Sequence, residues 1–133
     1  MKIVRWGSKL VDWKNHFFYL LDSSEQIRVA NVAIFFAVVD LGTVAGRHKA
    51  SGNINVIQLS PLLTEDEAKD TVGHEYAHLV DWYVNGQHEH GPSWKKIMCQ
   101  LGLAPHETHD LPMKTRKALQ DVLDKIDKHK KKP

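Results

Sequence analysis

The feature that most constrains this 133-residue chain is a long helix marked out between Thr64 and Gly86. Thr64-x-x-Glu67 is a capping box, in which each side chain satisfies a backbone N–H that the first helical turn leaves unpaired. Gly86 supplies the glycine that commonly ends a helix. The spacing predicts a helix over 65–84, with Ala68, Val72, Leu79 and Val80 on its buried face. Inside it stands His74-Glu75-Tyr76-Ala77-His78. Residues four apart project from one helical face, so His74 and His78 can direct two imidazole nitrogens at a single metal ion. Glu75, beside the first of them, is placed to act as general base on a water at that ion rather than as a ligand.

A catalytic zinc needs three protein ligands and one open position, so a third donor must come from elsewhere. The single thiol, Cys99, excludes an intramolecular disulfide and an all-cysteine site, which leaves His and carboxylates. Histidine is abundant: there are nine, and six of them lie between positions 74 and 109. The metzincin arrangement is excluded, because Val84 occupies the place of its third histidine and Asp81 the place of its glycine. A thermolysin-like glutamate about twenty residues on is also missing, since Met98 stands there. Beyond the turn at Gly86 the chain reads Gln87-His88-Glu89-His90-Gly91-Pro92-Ser93-Trp94. His90 is the expected third ligand, with Gly91-Pro92 setting the backbone directly after it. His88 and Glu89 are competing donors.

Around this helix the sequence reads as one α+β domain over 1–124, followed by a basic tail over 125–133. Leu10, Trp13, Phe17, Leu20 and Leu21 recur at helical spacing and predict a helix over 9–21, with a polar turn at 22–24. The β-branched and aromatic run over 32–39 predicts a strand covered on both faces. A short second segment over 43–49 and a strand over 54–60 complete a small, three-stranded, mostly antiparallel sheet. That sheet packs on the helices, in a zincin-like arrangement with the motif helix at its centre. Pro92 opens a further helix that ends near Gly102. An irregular stretch over 106–111 precedes a last helix that starts at Pro112 and carries Leu119, Val122, Leu123 and Ile126 on one face.

A formal charge of +2 is too near balance to imply a polyanionic partner. The longest apolar run falls well short of the roughly 20 residues of a membrane helix, and no secretion signal is visible. A monomer in the cytoplasm is expected, without a membrane partner.

The ordered motifs resemble those of the SprT-like metallopeptidases, which include the eukaryotic spartan proteases. His74-Glu75-x-x-His78 followed by His90-Gly91-Pro92-x-Trp94 is similar to that family's H-E-x-x-H and H-G-x-x-[WF] pair. Gly42-Thr43-Val44-Ala45-Gly46 and Ile57-Gln58-Leu59-Ser60-Pro61-Leu62-Leu63 resemble its upstream strands, and Thr108-His109 resembles a downstream pair of bacterial members. The resemblance implies a zinc endopeptidase holding one Zn2+ on His74, His78 and His90, with Glu75 as base. It also implies a protein or peptide substrate that is DNA-bound or crosslinked to DNA, and hence nucleoid association.

Several other residues are candidates. His109 or His106 could donate to the oxyanion or stand behind the ligands. Trp94 and Tyr83, with Trp82, could line a substrate cleft. Strand 54–60 could offer a sheet edge to an extended substrate. Lys128, Lys130, Lys131 and Lys132 could contact phosphates. Two other functions fit the same residues: a non-catalytic, zinc-stabilised module that binds DNA or protein, and a regulatory metallopeptidase that cleaves one specific protein.

Overall fold

The computed structural model describes residues 4–106, 110–111 and 120–125. A 3-10 turn, Arg5–Lys9, leads into helix α1, Leu10–Phe18, and α2 spans Ser23–Val29. Three strands come next: β1 Ala33–Val38, β2 Gly46–Ser51 and β3 Ile54–Leu59. The chain then forms α3, Glu65–Asn85, and α4, Pro92–Gln100. Residues 120–125 are helical and exposed, while the remainder of the helix expected from Pro112, and the tail beyond Lys125, lie outside the described residues. The architecture is the α+β class read from the sequence, with a three-stranded sheet and helices.

Both ends of α3 are made by the residues that forecast them. The Glu67 amide donates to Thr64 Oγ1 at 3.3 Å, and the Thr64 amide donates to Glu67 Oε1 at 2.8 Å. At the far end Gly86 takes a left-handed conformation, φ 67°, and its N–H donates to the Trp82 carbonyl at 3.0 Å. The helix is about 30 Å long at 1.5 Å per residue. It is buried without a break from Val72 to Asp81, enclosed by α1, α2, α4, β2 and β3. A helix buried on every side is normally apolar all round. This one carries His74, Glu75, His78 and Asp81 through the core.

Close approach of α1 explains Gly73, a costly residue inside a helix. A methyl group there would collide with Leu103 Cδ1 and lie 2.9 Å from Phe17 Cζ. Phe17 is itself almost wholly buried. The motif helix and α1 therefore meet where the helix has no side chain.

The polar turn expected at 22–24 is instead the start of α2. Asp22 and Glu25 form a second capping box, with the Glu25 amide donating to Asp22 Oδ1 at 2.8 Å and the Asp22 amide to Glu25 Oε1 at 2.9 Å. Glu25 Oε1 also accepts from Gln100 Nε2 at 2.9 Å, which joins α2 to the end of α4. Burial, reinforced by the Glu25 carboxylate, pushes the Tyr76 phenol above its ordinary range.

The sheet order is β1-β3-β2. β2 and β3 form an antiparallel hairpin through Gly52-Asn53, but β1 pairs with β3 in parallel, so the expected mostly antiparallel sheet is a mixed one. Among the described residues β3 is consequently the central strand and β2 an edge strand, with Val44 just before it bridged to Asp110, which corrects the placement of a substrate edge on 54–60. β1 is not covered on both faces either: Ile34, Phe36 and Val38 pack on the core, whereas Phe35 is 58% exposed. The uninterrupted apolar run misled because its outward residues face no neighbouring layer.

Substituting Gly73 by alanine tests the α1–α3 contact. Helix propensity alone would stabilise the protein by about 1 kcal/mol. We expect the opposite sign, a loss of about 1–3 kcal/mol from overpacking against Phe17 and Leu103, read from the midpoint of urea unfolding.

Candidate metal centre

α3 presents His74 and His78 one turn apart, with ring centroids 5.0 Å from each other. The turn at Gly86 brings the next segment back over the helix, and Gly91 and Pro92, as N-cap and first residue of α4, fix the chain directly after His90. The His90 ring centroid lies 5.4 Å from that of His74 and 4.6 Å from that of His78. His78 Nε2 and His90 Nε2 stand 2.9 Å apart. One nitrogen from each of the three rings can be chosen so that all lie within 4.8 Å of one another.

That donor set fits zinc. Two nitrogens bound tetrahedrally at about 2.0–2.1 Å from one ion stand roughly 3.3 Å apart, near the 2.9 Å between His78 and His90, and the set as a whole lies within 4.8 Å. A shared proton can link two facing imidazoles, but three rings turned to one point are served by a cation. His74 and His78 are nearly buried and His90 half-buried, so the cluster is shielded from bulk water. These residues could hold one metal ion.

Trp94 fixes the rings from behind. Its indole stacks on His78 at 5.2 Å with an interplanar angle of 18°, and meets His74 and His90 edge-on at 5.0 and 4.6 Å. It is fully buried, so it does not line a substrate cleft. Tyr83 is likewise committed elsewhere. It accepts from Asn55 Nδ2 at 3.0 Å and donates to the Gly52 carbonyl at 3.4 Å, which ties the β2–β3 hairpin to α3.

The cleft beside the cluster has a volume of about 360 Å³. Val44, Gly46, Arg47 and His48 form one wall, Glu75 and His78 lie in its floor, and His88 also borders it. Gly46 makes this possible: a Cβ there would strike the Thr71 methyl and come within 3.4 Å of Glu75 Cγ. Asn55, wholly buried, accepts from His48 Nε2 at 2.8 Å. Because the Asn55 amide nitrogen faces Tyr83, its oxygen faces His48, and the His48 proton sits on Nε2. His88 stacks on Trp82 at 4.0 Å, apart from the metal ligands, and Glu89 borders a separate recess with Asn85 and Ser93. Neither takes the place of His90.

The other candidates fall elsewhere. His106 is exposed and is not among the residues that line the cleft. His109, Lys128, Lys130, Lys131 and Lys132 lie outside the described residues. Sequence reasoning missed Gly46, His48 and His88 as cleft residues. The alternation of β2 could have revealed the first two, once β2 was known to be the edge.

A buried motif helix, a small mixed sheet and a converging histidine triad define an α+β domain able to hold a metal. The chain belongs to the SprT-like family, whose profile matches residues 14–117. That membership makes it a metallopeptidase-type domain. No curated protein matches it.

Zinc titration tests the triad. We expect one zinc per chain by calorimetry and elemental analysis, with stabilisation of about 2.7 kcal/mol at free zinc one hundred times Kd. His74→Ala, His78→Ala and His90→Ala should each lower affinity by more than the roughly 100-fold that loss of an outer-sphere partner costs. His88→Ala should keep the stoichiometry. The reverse result for His88 and His90 would reassign the third ligand.

Proposed function

We propose that this chain is a zinc-dependent endopeptidase, with His74, His78 and His90 as ligands and Glu75 as general base. The observation that carries the reading is the placement of Glu75. It lies on the helix that supplies two of the three converging histidines and in the floor of the cleft that one of them also lines. A structural zinc site needs no base beside its metal and is closed by a fourth protein ligand. Among the described residues the cluster consists of three histidines only.

The chemistry that zinc supplies at such a site is acidification of water and polarisation of the scissile carbonyl. Glu75 accepts the proton of the attacking water and passes it to the departing amine nitrogen. Glycine at 46 leaves room for the Glu75 side chain, since a Cβ there would come within 3.4 Å of Glu75 Cγ. Trp94 holds the ligand rings in the orientation they need before substrate arrives.

The β2 edge binds substrate by adding it as a further strand. The Ser60 amide donates to the Ala45 carbonyl at 2.9 Å, so Ala45 and, two residues on, Arg47 and Lys49 direct their main-chain groups to β3. Gly46, His48 and Ala50 therefore present their N–H and C=O groups to the free edge, alongside the cleft. Main-chain pairing of this kind accepts many sequences. We take the natural substrates to be cytoplasmic proteins bound or crosslinked to DNA.

The test uses zinc-loaded protein, a DNA-binding protein substrate, and reactions with no DNA, single-stranded DNA or duplex DNA. Glu75→Gln should retain zinc and lose about 10²–10⁴-fold in cleavage rate. Wild-type cleavage by that variant would sink the mechanism. Wild-type activity indifferent to DNA would leave a peptidase without a role on DNA-bound proteins.

A further inference from the structure

The edge strand that borders the cleft is charged in a way that an added strand would feel. β2 reads Gly46-Arg47-His48-Lys49-Ala50-Ser51, and side chains alternate between faces along it. Gly46 and His48 point toward α3 and line the cleft. Alternation puts Arg47 and Lys49 on the opposite, outer face, where both are exposed, and Arg47 also borders the rim of the cleft. None of the three strands contains Asp or Glu. Among the described residues neither cation has an ion-pair partner.

We infer that the site selects extended substrate segments with acidic side chains at alternate positions, Asp/Glu-x-Asp/Glu, set against Arg47 and Lys49 on the outer face of β2. The inference rests on the proposal that substrate adds to this edge. Arg47 and Lys49 spend their main-chain groups on β3, so an antiparallel substrate meets them in non-hydrogen-bonded pairs. Those are the pairs whose Cα atoms come closest, about 4.5 Å, and whose side chains interact most. The pleat then sends the intervening substrate residue inward, toward His48 and Glu75. Each opposite-charge pair contributes roughly three-fold in affinity, and two together about ten-fold. Cations on a free edge also discourage unwanted strand pairing. That role alone predicts no preference between acidic and neutral substrates, so the two roles are separable.

The experiment walks a Glu-x-Glu, Gln-x-Gln or Lys-x-Lys pair along one neutral extended peptide. Cleavage is measured with zinc-loaded wild type and with the Arg47→Glu/Lys49→Glu double variant. Binding of the same peptides to zinc-loaded Glu75→Gln protein, with and without the charge reversal, is followed by fluorescence anisotropy. In the best frame Glu-x-Glu should exceed Gln-x-Gln by about ten-fold in kcat/KM and in affinity, and Lys-x-Lys by more, with both gaps shrinking as salt rises. The reversed variant should invert the order, and Arg47→Gln/Lys49→Gln should abolish it. Equal handling of the three peptides, or one order in both proteins, would overturn the inference and leave the peptidase reading intact. Absence of any cleavage would instead remove the peptidase reading, and the binding arm would still decide the inference. An effect of charge reversal seen only when DNA is added would also overturn it, assigning the two cations to phosphate.

Discussion

Everything in this fold depends on the burial of a polar helix. From Val72 to Asp81 every residue of α3 is withdrawn from solvent, including two imidazoles and a carboxylate of the same motif. Moving a neutral polar group into an apolar interior costs about 1–3 kcal/mol unless it gains partners, and an ionised carboxylate costs far more. The enclosing elements therefore do more than cover the helix. α4 contributes Trp94 against the rings, the loop before it delivers His90, and β2 closes on Glu75 through Gly46. A metal ion shared by three imidazoles would offset the cost further and would couple stability of the core to occupancy of the site.

The sheet contributes less to the core than to the geometry of access. Its central strand, β3, buries Asn55, Ile57 and Leu59, and the hairpin turn leaves β2 outermost. The chain of hydrogen bonds from His48 through Asn55 to Tyr83 then binds that outer strand to the motif helix. One wall of the cleft is thus an edge strand tied to the helix that carries Glu75. Neither wall is built by a long loop, so the site rests on rigid elements, as a constellation of reacting groups requires.

Local rules made the helices that carry the site legible. Capping residues act within one turn of their own position, so Thr64, Glu67, Gly86 and Pro92 forecast α3 and α4 closely. The same rule would have found α2, since Asp22-x-x-Glu25 has the same spacing, but the serines at 23 and 24 satisfy turn chemistry equally well. β1 was harder. Its apolar run is compatible with either face being covered, and nothing within the strand says that Phe35 looks outward. The parallel pairing of β1 with β3 was likewise out of reach, because the link over 39–45 permits either neighbour.

By itself the sequence determined the motif helix, its ends, and the placing of His74, Glu75 and His78 on it, since each is set by spacing along a single segment. Tertiary structure decided what depends on distant segments meeting. It brought His90 rather than His88 to His74 and His78 by the way the chain returns after Gly86, and it put Trp94 behind the three rings rather than in the cleft. It also made β2, with Gly46 and His48, the wall that faces Glu75. Periodicity reports which face of an element is apolar; only packing determines which other element that face meets.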